Sequence, residues 1–188
     1  LSDNYIRKIE NLGGCPKLKI LNLSYNNIHI LENIQNNIYL ENINLSNQFI
    51  PRFIIFIIKP NCALPNNRIQ CINIENSNLV TCSAMVQFPY LQEVNIKSNQ
   101  IDEMMDVLSV VKSCPYLRKI NCLNNPFIAA NKSTYRNFII IGGRNLIEVD
   151  EKEVKENEKI YVNQLYNRKF GKKRGKSRET VDVDIGKQ

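Results

Sequence analysis

Apolar and polar positions alternate along this chain in a repeated order, L-x-x-L-x-L-x-x-N-x-I, where any aliphatic residue can fill an L or I position. Leu18, Leu21, Leu23, Asn26 and Ile28 make the first copy, and Leu40, Ile43, Leu45, Gln48 and Ile50 the second. Ile69, Ile72, Ile74, Ser77 and Leu79 follow, then Leu91, Val94, Ile96, Asn99 and Ile101. The fifth copy is Leu117, Ile120, Cys122, Asn125 and Phe127. Ahead of them, Asn4, Ile6, Ile9 and Leu12 read as the tail of another copy whose strand would precede residue 1. The copies start 22, 29, 22 and 26 residues apart.

Within a copy, Leu21 and Leu23 alternate on a short extended segment and point to one side. The Asn three residues on can bond the backbone where the chain turns off the strand. Ile28, Leu31 and Ile34 then bring the chain back over the same core. One unit cannot bury its apolar face alone, so the units stack side by side. A period of 20–29 residues with this signature is that of leucine-rich repeats. The pattern predicts an α/β solenoid with parallel strands near 20–23, 42–45, 71–74, 93–96 and 119–122, forming one concave sheet.

Two copies depart from the pattern. Gln48 and Ser77 stand at the turn-Asn position, and the second unit carries an insertion around Pro51 to Asn67. Gln reaches the backbone with a longer arm, whereas Ser offers one hydroxyl. The solenoid is expected to be least regular there, with a bulge on its convex side. Repeats are expected over 1–127 and a C-terminal helical cap over 128–166, with a helix from Glu151 to Tyr166. Residues 167–188 are charged and aperiodic and read as a basic, disordered tail.

Composition sharpens this picture. The 188 residues include 28 Asn and 26 Ile, a skew that suits short strands joined by polar turns. No stretch approaches the ~20 apolar residues of a membrane helix; the most apolar, residues 53–58, ends at Lys59-Pro60. The chain opens in mid-repeat without Met, which reads as a fragment. Six cysteines at 15, 62, 71, 82, 114 and 122 form no C-x-x-C pair, and His29 is the only histidine. They read as reduced thiols packed as small hydrophobes, which favours a reducing compartment. The net charge of +7 is matched by seven cations with no acid among them: Arg168, Lys169, Lys172, Lys173, Arg174, Lys176 and Arg178.

Asn125-Pro126-Phe127, Tyr135-Arg136 and Leu146-x-x-Val149-Asp150 resemble the cap of the intracellular leucine-rich-repeat family typified by protein phosphatase 1 regulatory subunit 7. Spliceosomal A-prime proteins and the leucine-rich dynein light chain share that cap. Over nearly the whole chain the sequence is similar to the regulatory subunit 42 family, the testis leucine-rich-repeat proteins. That similarity rests on Gly14-Cys15-Pro16-x-Leu18, the insertion after Asn44-Leu45-Ser46-Asn47-Gln48, Ile72-Asn73-Ile74 and the basic run behind the cap helix. The resemblance implies partners among protein phosphatase 1, tubulin or microtubules, and a cytoplasmic, cytoskeletal location at a cilium, basal body or centrosome.

Candidate binding residues follow from the repeat. The position between the second and third core residues is Asn in all five copies: Asn22, Asn44, Asn73, Asn95 and Asn121. Either these amides hold a partner, or they are a solvated strip filled by an Asn-rich composition. Tyr25, Glu75, Glu93, Lys97, Arg118 and Lys119 flank them with mixed charge, which suits a protein partner better than nucleic acid. Arg52, Ile54 and Phe56 resemble a phosphatase 1 docking motif, which binds as an added strand; the same residues in a return limb equally serve a core. The basic run suits acidic tubulin tails, phosphates, or solvent alone. With only Phe170 among its cations, it is poorly made for stacking on bases. No catalytic constellation, cofactor loop or metal-ligand spacing appears. Gly142-Gly143 lacks the Lys-Ser/Thr of a phosphate loop, and Gly13-Gly14 reads as a turn. The expected role is a non-catalytic scaffold or regulatory subunit, or else a fixed component of a microtubule structure.

Overall fold

The computed structural model describes residues 1–62 and 68–170. They fall into two compact units, Leu1–Val154 and a second that begins at Lys155. In the first, strands β1 (Ile20–Asn22), β3 (Asn42–Asn44), β5 (Cys71–Asn73), β6 (Glu93–Asn95) and β7 (Lys119–Asn121) stack in parallel. They lie within the five segments expected from the repeat. Their register runs Leu21–Ile43–Ile72–Val94–Ile120 across the sheet, and all five are buried. Return limbs complete the core with Ile28, Leu31 and Ile34, none more than 2% exposed.

The return limbs change character along the chain. In the first two repeats they are extended, β2 (Ile30–Leu31) pairing in parallel with β4 (Ile57–Ile58). The third limb carries a 3-10 turn at Ser83–Gln87. The fourth repeat has 26 residues, room enough for helix α1 (Met104–Ser113). Val107, Leu108, Val110 and Val111 give α1 its buried stripe. The 29-residue unit leaves the concave register untouched, because Asn42–Asn44 still pairs with Cys71–Asn73 without a slip. The described part of the extra chain puts β4 beside β2 in a sheet separate from the concave one, and residues 63–67 lie outside the described residues.

Asparagine explains the turns. Among the described residues, seven of twelve non-glycine positions with positive φ are Asn, and no glycine has positive φ. Asn tolerates this left-handed conformation because its amide bonds locally. In each repeat such a residue stands three positions past the strand-ending Asn: Tyr25, Asn47, Asn76, Ser98 and Asn124.

One residue further on lies the buried turn residue of each repeat. Asn99 accepts from the N–H of Ser77 and of Leu79 at 3.1 and 3.0 Å, and donates to Ile74 and Ile96 carbonyls at 2.7 and 2.9 Å. Gln48 reproduces this, taking Ile28 N–H at 2.9 Å and giving to Leu23 carbonyl at 2.9 Å. Ser77 donates to Leu45 carbonyl at 2.8 Å but has no carbonyl for the preceding repeat. The N–H of Ile50, which a carbonyl at residue 77 would serve, turns back to Gln48 instead. The expected irregularity therefore has an atomic cause.

The C-terminal side departs from expectation in one place. Strand β8 (Glu148–Val149) extends the parallel sheet, and β9 (Lys152–Glu153) folds back antiparallel onto it. Between them Asp150 and Glu151 both have positive φ, 56° and 62°, the geometry of a two-residue type I′ hairpin. The helix expected from Glu151 is thus displaced by a hairpin that lacks the usual Asn-Gly signal. Helices α2 (Pro126–Ala130) and α3 (Tyr135–Gly142) precede it. In the second unit α4 spans Glu156–Phe170, four residues past the expected stop at Tyr166. Glu156 and Glu158 in its first turn and Arg168 and Lys169 in its last match the helix dipole.

Candidate functional site

The parallel strands present two outward rows, one on each side of the buried row. After the buried residue come Asn22, Asn44, Asn73, Asn95 and Asn121; before it come Ile20, Asn42, Cys71, Glu93, Lys119 and Glu148. All of them except Asn22 line a shallow trough of about 420 Å³ across the concave sheet. Of the nominated residues, Asn44, Asn73, Glu93, Asn95 and Asn121 line it, as does Lys119, and Asn22 continues the Asn row onto β1.

Each Asn of the row has a backbone duty. Its Oδ1 accepts the N–H two residues ahead: Ser24 at 3.1 Å, Ser46 at 3.1 Å, Glu75 at 3.0 Å, Lys97 at 3.1 Å and Leu123 at 3.3 Å. This side-chain turn is what ends each strand. With Oδ1 committed, Nδ2 remains as a donor. At the C-terminal end it is used within the sheet: Asn95 gives to Glu75 at 3.0 Å and Asn121 to Glu151 at 2.9 Å. The Nδ2 groups of Asn22, Asn44 and Asn73 have no partner among the described residues.

Charge divides the same way. Lys119 pairs with Glu93 at 3.2 Å and Lys97 with Glu151 at 3.1 Å. The bond to Lys97 holds the Glu151 carboxyl below its ordinary range, and the same bond holds the Lys97 ammonium above its own. The C-terminal end of the face is therefore polar and self-paired. Toward the N-terminus the two rows are neutral, with Ile20 65% exposed and the half-buried Cys71 thiol raised by burial, with the Glu93 charge adding to it.

Other nominated residues lie elsewhere. Tyr25 sits at the left-handed turn beyond β1, its ring 6.1 Å from that of Phe49. Glu75 and Lys97 occupy turn positions, and Arg118 is exposed just ahead of β7; none of the three lines the trough. The docking motif is a correction. Phe56, its aromatic anchor, is 1% exposed, bridges Leu79 in parallel and belongs to the core. Ile54 is half-buried, and only Arg52 is open to solvent. Arg168 and Lys169 are exposed on α4, whereas Lys172, Lys173, Arg174, Lys176 and Arg178 lie outside the described residues.

Ile20, Asn42, Cys71 and Glu148 were missed. The signal was available, because a strand's period of two puts the residue before the buried position on the same side as the residue after it. All six cysteines are free thiols and four are buried. Among the described residues no cluster of His, Cys, Asp or Glu is arranged to hold a metal, and no helix is long and apolar enough to cross a membrane.

Stacked parallel strands, a buried turn-Asn row and a short capping hairpin define a leucine-rich-repeat solenoid. The chain is similar to a chain of the Drosophila melanogaster SNF/U2A' complex, with 22% identity, a TM-score of 0.57, and coverage of 94% of this chain and 84% of that one. A likeness to the Chaetomium Mex67:Mtr2 subunits reaches 14% identity and a TM-score of 0.42, over 52% of this chain and 64% of that one. No family model and no curated protein matches the chain.

Proposed function

We propose that this chain is a non-catalytic interaction module whose concave face binds a protein partner. The observation that carries this reading is the row of free Nδ2 donors on Asn22, Asn44 and Asn73, held outward because each Oδ1 is tied to the backbone. Adjacent donors on such a sheet stand about 4.8 Å apart. They suit a partner that presents a line of acceptors, such as backbone carbonyls. The neutral, partly apolar surroundings lower the desolvation cost of docking. The structural neighbour described above is itself part of a complex.

The resemblance to phosphatase regulatory subunits makes protein phosphatase 1 the first partner to test. The test uses Asn44→Asp together with Asn73→Asp. Aspartate keeps the oxygen that ends the strand but replaces the outward donor with an acceptor, so the fold is retained while the row is inverted. Calorimetric titration with the phosphatase catalytic subunit should give binding that the double variant weakens at least about tenfold. Unchanged affinity in the double variant would refute the concave reading.

The run of seven cations at 168–178 favours a second reading, a cytoskeletal component that holds microtubules at a cilium, basal body or centrosome. Acidic tubulin tails are the complementary surface, and salt-sensitive co-sedimentation tests it. Nucleic acid is disfavoured because the run carries a single aromatic.

A further inference from the structure

A second surface lies where the chain enters its strands. The register puts Lys17, Tyr39, Arg68, Tyr90 and Tyr116 at one position, three residues ahead of Ile20, Asn42, Cys71, Glu93 and Lys119. All five are exposed, the tyrosines by 40%, 52% and 55%. The Arg68 guanidinium lies 5.5 Å over the Tyr39 ring, and the Tyr90 and Tyr116 rings stack at 5.9 Å and 21°. The result is an aromatic–guanidinium pair beside an aromatic pair along one rim of the solenoid. None of it lines the concave trough, and the fold does not need it, since these rings are outside the core.

Tyr and Arg are the residues that most often anchor protein interfaces. The spacing narrows the occupant. Strands two repeats apart are separated by about 9.6 Å, twice the ~4.8 Å step, and this sets the spacing of the backbone that carries Tyr39 and Tyr90. A polyproline helix advances about 9.3 Å per three-residue turn. Prolines three residues apart in such a segment would meet Tyr39 and Tyr90 in turn, with Arg68 between them. Charge adds a second constraint. Lys17, Arg68 and Arg118 show no ion pair among the described residues, while Glu41 is paired with Lys19 at 3.7 Å. The rim is therefore basic.

We infer that this rim docks an extended, acidic, proline-containing segment of a partner protein, lying across the strands. Single-stranded RNA is the competing occupant, because it also seeks aromatics and cations. It fits less well. The Tyr90 and Tyr116 rings already stack on each other and Arg68 already covers one face of Tyr39, so few faces are left for bases to stack on.

The test is fluorescence anisotropy of the full chain with a labelled peptide bearing prolines three residues apart among glutamates. An all-alanine version of equal charge and a uridine oligonucleotide serve as comparisons. The proline peptide should bind at least about fivefold more tightly than the alanine one. Tyr90→Ala with Tyr116→Ala should cost about tenfold, and Arg68→Gln should flatten the salt dependence. The Asn44→Asp and Asn73→Asp double variant should bind the peptide as the unaltered chain does, which separates this surface from the concave one. No binding, equal binding of the alanine peptide, indifference to the tyrosine variants, or tyrosine-dependent preference for the oligonucleotide would each overturn the inference.

Discussion

Replacing Asn99 by Ala asks how much one buried amide contributes to a solenoid. Asn99 is 2% exposed and serves two repeats. Its Oδ1 takes the N–H of Ser77 and Leu79, and its Nδ2 gives to the carbonyls of Ile74, Ile96 and Lys97. Two of these groups keep another partner, since Ile96 carbonyl also accepts from Asn125 and Lys97 carbonyl from Asn76 N–H. Three are orphaned: Ser77 N–H, Leu79 N–H and Ile74 carbonyl. At about 1–3 kcal/mol for each buried polar group left unpaired, the loss is ~3–9 kcal/mol. A water in the vacated space would hold it near the lower end, ~3–5 kcal/mol. That is a large share of the ~5–15 kcal/mol that stabilises a domain. Urea denaturation followed by circular dichroism should give a lower midpoint at an unchanged slope. Asn99→Asp keeps the acceptor but aims a carboxylate at three carbonyls. Its folded pKa must be raised, so this variant should gain stability as pH falls. Asn99→Ala within about 0.5 kcal/mol of the unaltered chain would refute the reasoning.

Val94→Asp sets a carboxylate at a position 3% exposed in the middle of the buried row and should cost several kcal/mol, about 3–5; an unchanged melting temperature would contradict the register. Alkali should unfold the chain early. Burial pushes Cys62 and Cys114 up to about 11 and Cys82 up to about 12, from 9.0. The folded state holds these protons more tightly, so their contribution is whole below pH 9 and lost as pH rises toward 11 to 12. Burial and Asp150 raise Tyr135 in the same direction, to about 12. A melting temperature flat across that window would show that these groups are solvated. Deleting residues 171–188 keeps α4 but removes Lys172, Lys173, Arg174, Lys176 and Arg178. Microtubule pelleting should fall and lose its salt sensitivity, and equal pelleting of both forms would assign any such contact to the solenoid.

The parallel sheet was legible because its signal is redundant. Five aligned copies place Leu21, Ile43, Ile72, Val94 and Ile120 inward whatever any single residue prefers. The meaning of the strand-ending Asn was harder to read. Weighed as a partner-binding ladder against a solvated strip, these residues also have a third role, because each ends its own strand through Oδ1. The strand's period of two already put a second row, Ile20, Asn42, Cys71 and Glu93, on the same side, but the Asn row drew attention away from it. Phe56 was misleading because its neighbours Arg52 and Ile54 have docking spacing, yet the insertion carries it across the core to Leu79. The Tyr39–Arg68 and Tyr90–Tyr116 pairs escaped notice because their members are far apart in sequence and meet only through the register.

The hairpin at Asp150 answers what happens where the repeats stop. In each earlier repeat the N–H of the second inward strand residue (Leu23, Leu45, Ile74, Ile96) gives to the carbonyl of the strand-ending Asn in the repeat that follows, so Cys122 in the fifth needs an acceptor from beyond. Asp150, 4% exposed, supplies it: Oδ1 accepts Cys122 N–H at 2.8 Å and the Cys122 thiol at 3.2 Å, and Oδ2 accepts the Tyr135 hydroxyl at 2.9 Å. A carboxylate suits this place better than an amide, because all three neighbours are donors and no carbonyl needs a partner. Arg136 then closes the hairpin from outside, giving to Val149 carbonyl at 2.7 Å and Glu153 carbonyl at 3.1 Å. Gly143 lets the cap approach so closely, since a Cβ there would stand 2.7 Å from Leu146 Cγ and 2.9 Å from Val111 Cγ1. Tyr135, Arg136, Val149 and Asp150, the residues that first suggested a capped family of solenoids, are thus one hydrogen-bonded device for ending the stack.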